Sequence, residues 1–446
     1  MNRWTRKPTA IGVIMVMRVG VLGGGPAGLV AALALERYGD GFVDVTLLDR
    51  NASESDYPGV EYGIQERACR ALARMGVKDA ALGRGNPNSE IAFSVVSRGR
   101  EQGAVKTDPA WCVCVIRQEF LADLAGLLKT TTVKRRTVVE GVDAGEDGRV
   151  KVRCTTDGAS TELTFDALIA ADGVQSIVRR TWFPNFATLH DRGFSCAYFL
   201  VEARGPIAPA GFSDLANGGR SELWMGSFST MTVFPMGHDR LAIGVGFDDA
   251  TRDRLWAEQG LSPSTPWTEM TANQRRAVAL RLAADVPIRD GLFTRLFESF
   301  VPDWTSTKVY LWKMRDSDPL PVPFTAAPNI VVVGDAAHAF MPTIGMGASI
   351  AIEDAERVAA CISAVARRHT NADAARRALR AEAFEVFARE RVAVWNELMF
   401  RARWAGRNNF HNQRERRRFA IAPMVPGYLP SRLVGAAEWA ADRLGL

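Results

Sequence analysis

The 446-residue chain is 47% hydrophobic and 24% charged, ordinary soluble usage that excludes collagen, wholesale disorder and a disulfide scaffold. Its length exceeds one ordinary domain and implies two, or one large domain with an inserted sheet. The net charge of +5 has a local source, because Arg401, Arg403, Arg407, Arg414, Arg416, Arg417 and Arg418 stand against one acid, Glu415. That stretch reads as the solvated face of a helix, so no nucleic-acid partner is expected. Cys69, Cys112, Cys114, Cys154, Cys196 and Cys361 form no C-x-x-C and no paired framework, which fits free thiols in a cytoplasmic protein. No run approaches the roughly 18 apolar residues of an integral membrane segment.

In chain order, Arg3, Arg6 and Lys7 followed by Ala10–Met17 superficially resemble a signal peptide. The apolar run, however, leads straight into MRVGVL without a cleavage stretch, so residues 1–16 read as an extension. Arg18–Leu22 is β-like, GGGPAG follows, Leu29–Tyr38 is an Ala/Leu-rich helix closed by Gly39, and Val43–Leu48 is a second strand. A compact βαβ unit of this kind implies a parallel sheet covered by helices. Helical signals recur at Glu66–Met75 and Glu119–Leu128, and short alternating strands fill 138–170, including Arg149–Cys154 and Ala167–Ala171. From Phe194 to Phe247 the spacing of Ala197–Val201, Ser221–Met225, Thr230–Phe234 and Leu241–Val245 between Gly and Pro predicts antiparallel strands. Residues 251–300 read as helices, Val309–Lys313 and the wholly apolar Ile330–Val333 as strands, and Gly347 to about Ala366 as a helix. Helix formers dominate Ala375–Phe410.

Three motifs carry chemistry. Gly23, Gly25 and Gly28 of GGGPAG, with Pro26 and Ala27 between them, fill the dinucleotide fingerprint: tight turn, close approach to pyrophosphate, close helix packing. Asp49, followed by Arg50, ends the second strand where a carboxylate reaches ribose hydroxyls. The second motif is ADGVQSIVRR, with Asp172 and Gly173, and the third is GDAAHAFMPTIGMGASIAIEDA from Gly334, directly after IVVV. In content and order these resemble the class A, single-component FAD-dependent monooxygenases, the aromatic hydroxylases related to 4-hydroxybenzoate hydroxylase, over Met17 to about Ala366.

The resemblance implies an α/β fold: a Rossmann-like FAD-binding domain (17–78, 105–190 and 308–370), an inserted, mainly antiparallel substrate domain (79–104 and 191–307) and a C-terminal helical region (371–446). It implies that Gly23, Gly25 and Gly28 hold the pyrophosphate, Asp49 the ribose and Asp335, after Gly334, the ribityl and pyrophosphate portion. By the same resemblance Arg117 of VIRQEF is expected beside the FAD. The resemblance further implies that Asp172 and Gly173 would serve FAD and a transient NADPH or NADH, and that Pro342, Gly345, Met346, Gly347 and Ala348 would border the isoalloxazine. Many relatives have Gln and Asn where this chain has Met346 and Ser349. His338 of GDAAH is expected to be structural.

The implied cycle is flavin reduction by NAD(P)H, formation of a C4a-hydroperoxide with O2, and transfer of one oxygen to a hydrophobic aromatic or polycyclic small molecule. Amides at the start of the helix near Gly347 would stabilise charge on reduced flavin. Trp224, Phe228 and Phe234 are candidate substrate contacts, with ordinary sheet core the competing assignment. No general acid or base is identifiable, and the five histidines lack metal-ligand spacing. A reductase or oxidase without oxygen insertion, and a non-catalytic binding partner for a labile intermediate, are the alternatives. Monomer and homodimer are both compatible with the sequence.

Overall fold

A computed structural model describes residues 16–57, 59–95, 100–106, 110–202, 211–226, 228–286, 292–299, 309–325, 329–369 and 371–406. Met17–Leu22 runs parallel to Val43–Leu48 on one side and Ala167–Ala170 on the other. Thr132–Lys134 and Ile330–Val332 complete a five-stranded parallel sheet. Helix Pro26–Gly39, buried from Ala27 to Leu35, packs on this sheet and against the 22-residue helix Gly347–Arg368. The apolar runs of the sequence thus become the interior of one nucleotide-binding half.

Beside it lie an antiparallel meander (Thr137–Ala144, Val150–Thr156, Ala159–Phe165) and a small sheet in which Cys112–Ile116 pairs with Glu61–Gln65 and Asn86–Asn88. A seven-stranded sheet forms the second half, in the order Val309–Asp316, His190–Glu202, Arg240–Asp248, Ser229–Gly237, Arg220–Met225, Glu90–Val95, Arg100–Lys106. All its pairings are antiparallel except that of Arg220–Met225 with Glu90–Val95. Val309–Asp316, grouped by sequence with the FAD segments, is therefore the edge strand of this sheet, and Val105 and Lys106 belong to its opposite edge.

Side chains alternate across the sheet. One face buries Phe199, Met231, Val233, Ile243, Val245 and Phe247 under helices Asp249–Glu258, Ala272–Ala284 and Leu292–Ser299. The opposite face carries Cys196, Tyr198, Leu200, Phe234 and Ala242 toward the nucleotide-binding half, where they meet Val60, Cys112, Ile116 and Met341.

The described part of the C-terminal region is a strap on the nucleotide-binding half. Ala372–Leu379 and Glu385–Gly406, joined by a π-helical turn at Arg380–Phe384, bury Leu379, Phe384, Phe387, Trp395 and Ala402 in its core. The arginines from Arg407 onward lie outside the described residues, as does the N-terminal extension apart from exposed Val16. Among the described residues no helix is long and apolar enough to cross a membrane.

Candidate cofactor and substrate site

The glycine turn follows from close packing. Gly23 has φ +96, and a Cβ on Gly28 would lie 1.7 Å from the Gly23 carbonyl oxygen, so the helix can start this close to the strand only without a side chain. Pro26 occupies the first turn, where its missing N–H costs nothing. Gly25 and Pro26 remain partly accessible, whereas Ala27 and Gly28 are buried. Asp49 is buried at the strand end, accepting hydrogen bonds from the Asn51 amide (3.1 Å), the Tyr57 hydroxyl (3.0 Å) and Arg135 (2.8 Å). Arg50 beside it is exposed.

The second and third motifs join the same groove. One Asp172 oxygen accepts from the Ile177 amide at 2.8 Å, while the other is buried without a hydrogen-bond partner. Burial raises the pKa of this carboxyl. Arg179, seven residues after Asp172 in the same motif, binds the carbonyls of Phe186, Ala336, Ala337 and Asp318, which locks the DG turn to the Gly334 turn. Asp335 presents its side chain to the cleft, yet enough protein surrounds it that desolvation raises its pKa, opposed by His338 and Arg117. Pro342 and Gly345 are exposed, and Met346, Gly347 and Ala348 are partly so. The Gln65 amide donates to the carbonyls of Ile344 (3.3 Å) and Gly345 (3.1 Å). Ser349 accepts from the Gln65 N–H at 2.9 Å and reaches the Gly63 carbonyl at 3.3 Å. This departure from the family pattern thus fixes the loop to strand Glu61–Gln65. The first amides of the 22-residue helix have no acceptor within it, and its first turn carries no acid.

Opposite this loop stands an aromatic wall. Met341 packs with Phe194, Cys196 and Met314 of the seven-stranded sheet, with Tyr198 and Trp312 alongside. Arg117 sits 4.4 Å from the centroid of Tyr62 and 5.2 Å from that of Trp312, a cation held between ring faces. Glu61, which no sequence signal marked, lies here with its pKa pushed up to about 7 by burial against the pull of Arg117. Burial likewise raises the Tyr62 and Tyr198 hydroxyls and takes the Cys196 thiol up to about 12.

Of the three expected substrate contacts, only Phe234 lies on the face of the sheet turned toward the nucleotide-binding half, packed against the cluster of Val60, Cys112 and Ile116. Trp224 pairs with Met231, and both Trp224 and Phe228 pack on the helix-covered side of the sheet, so they are core residues. Trp224 donates to Glu222 at 2.9 Å, and Phe228 lies under Arg254 at 4.6 Å. His338 is fully buried, its Nε2 2.5 Å from Asp354, in keeping with a structural part.

The model of a family described as "FAD binding domain" matches residues 16–192 and 322–385, more than half of the chain. Salicylate hydroxylase of Pseudomonas putida is 28% identical, the match covering 84% of this chain and 83% of that protein. For 3-hydroxybenzoate 6-hydroxylase of Polaromonas naphthalenivorans the identity is 24%, over 94% of each chain. Among solved structures, a salicylate hydroxylase substrate complex superposes with TM-score 0.65 at 20% identity, covering 96% of this chain and 95% of that one. Klebsiella pneumoniae HpxO, complexed with FAD and uric acid, gives 0.66 at 20% identity over 88% of each chain.

Proposed function

Because the chain belongs to the FAD binding domain family, we propose that it is an FAD-dependent monooxygenase that uses NADPH or NADH and O2 to place one oxygen atom on a hydrophobic aromatic small molecule. The residues fit the cofactor: a buried Asp172 oxygen lacks a partner, and a Cβ on Gly173 or Gly347 would meet nothing within 4 Å. Gly25, Asp172, Gly173 and Asp335 would hold its phosphate and sugar portions, Pro342 and 345–348 its ring. Bound FAD supplies the redox chemistry.

The chain's own contribution is to bind, orient and keep dry. The unpaired amides at the start of helix Gly347–Arg368 and its dipole favour negative charge at the ring. Tyr198, Trp312, Phe234 and Met341 provide a flat, apolar wall that excludes water from the reacting atoms. The observation that carries the reading is this juxtaposition of a glycine-lined nucleotide groove with an aromatic face.

The test is turnover of the FAD-loaded protein with NADPH or NADH under 18O2 and a panel of aromatic compounds. One labelled oxygen in a product supports the reading. Peroxide equal to the nicotinamide consumed, with no labelled product from the whole panel, points instead to an oxidase.

A further inference from the structure

Resting on the reading just given, we propose that Thr343 is a positioning residue: its hydroxyl ties the loop that would border the flavin ring to the last turn of the C-terminal strap, so that FAD binding and the strap are energetically coupled. Pro342–Ile344 is a single turn of 3-10 helix, closed by the Gly345 N–H on the Pro342 carbonyl at 3.0 Å. One such turn is too short to fix its own place, and its surroundings supply what it lacks. From the small sheet, Gln65 donates to the carbonyls of Ile344 and Gly345. Toward the strap, Thr343 Oγ1 donates to the Ala402 carbonyl at 2.7 Å, a buried bond that spans 59 residues of sequence.

The strap helix is shaped for this approach. Ala402, Ala405 and Gly406 are all buried, and a Cβ on Gly406 would stand 2.9 Å from Met341 Cε and 3.3 Å from Phe194 Cζ. Arg403, in the same turn, forks onto Asp316 at the end of the edge strand and reaches Asp318 at 2.7 Å. The segment beyond that strand is laced to the third motif, since the Ser317 amide donates to the Ala339 carbonyl and the Ala339 amide to Ser317 Oγ, both at 3.1 Å. One helical turn therefore braces the loop, the Met341 beside it and Phe194 of the aromatic wall, and the Thr343 hydroxyl is the bond by which it grips the loop. Amides stabilise a developing charge well only when they are held in place beforehand. Gln65 and Thr343 hold the loop that leads into the first amides of helix Gly347–Arg368.

The test is hydrogen exchange, read by mass spectrometry, on the full chain with and without FAD. Coupling is reciprocal, so FAD should slow exchange both in the loop (342–347) and in the last turn of the strap (402–406), the latter by about fivefold, the worth of one buried hydrogen bond. In T343V, close in shape to the parent but without the donor, FAD should still protect the loop and leave 402–406 unchanged. T343S, which keeps the hydroxyl, should restore the response. A residue that merely stabilised the fold would not make the strap respond to FAD. Residues 385–391, anchored through Arg391 on Asp354, should exchange alike in all three proteins, which separates loss of the tie from general loosening. The proposal is overturned if FAD leaves 402–406 unaffected in the unaltered chain, a result independent of how any variant folds, or if T343V keeps the response. A chain that takes up no FAD overturns it together with the reading it rests on. FAD uptake without 18O in any product removes the monooxygenase reading and leaves the coupling standing, so the two failures are distinguishable.

Discussion

Asp354→Asn isolates the hub that joins the nucleotide helix to the C-terminal strap. Asp354 has no solvent exposure and lies 2.5 Å from His338 Nε2, 2.7 Å from Arg391 Nε and 3.0 Å from Trp395 Nε1. Burial alone would raise its pKa, but His338 and Arg391 outweigh it and the carboxyl sits below its ordinary value. Removing one partner of a buried pair costs about 3–5 kcal/mol. Arg391 keeps Glu353 at 2.7 Å, so the lower end applies. About 3 kcal/mol corresponds to roughly a hundredfold in an equilibrium constant. Native-state hydrogen exchange of the FAD-loaded protein should therefore show protection across Glu385–Gly406 falling by about that factor. The sign with pH is set by the depressed pKa: the carboxylate's contribution is fully present above the unfolded value of about 3.9 and is lost as pH falls through the folded value. The variant should accordingly lose less stability in acid than the parent. Protection within about threefold of the parent would refute the claim that this network holds the strap.

Gly28→Ala should yield protein with little FAD, seen as a low ratio of flavin to protein absorbance, because its Cβ would lie 1.7 Å from the Gly23 carbonyl oxygen. Normal FAD content would contradict the packing argument. Asp335→Ala should weaken FAD retention on dilution, and unchanged affinity would remove Asp335 from the site. Trp224→Leu should lower stability by about 1–3 kcal/mol in denaturant titration and leave aromatic-ligand affinity unchanged, whereas Phe234→Leu should weaken that affinity; the reverse result would mean the two faces have been misassigned.

The nucleotide groove was legible in the sequence because its requirements are local. Gly23, Gly334 and Gly345 have φ of +96, +60 and +62, conformations that glycine adopts at little cost, and each follows a strand or turn readable from the sequence. The cleft wall was not. Both faces of the seven-stranded sheet are covered, one by helices and one by the nucleotide-binding half, so polarity does not mark the face that Trp224 or Phe234 occupies. Only register decides it: Trp224 pairs with Met231 while Phe234 pairs with Ala242. Glu61 escaped notice for a related reason: burial raises its pKa against the pull of Arg117, more than fifty residues away, and the Tyr198 and Cys196 groups that it acts on lie on another sheet. The helical character of the strap was readable, but its docking depends on Trp395 and Arg391 meeting Asp354.

Arginine clamps hold the wall and the groove in one arrangement, and this bears on how the site selects its substrate. Fully buried Asp316, at the end of the edge strand, accepts two bonds from Arg192 (2.9 and 2.5 Å) and two from Arg403 of the strap (both 3.0 Å). Arg240 of the sheet pairs with Glu119 of the nucleotide-binding half at 2.6 Å. Forked, multidentate contacts of this kind fix orientation as well as distance. With the two halves braced, discrimination must come from the lining itself. Gly244 illustrates the margin: a Cβ there would stand 2.6 Å from Thr232 Oγ1 and 3.1 Å from Tyr198 Cε1. The absence of that one carbon sets where the Tyr198 ring stands on the face turned toward Met341 and the nucleotide-binding half.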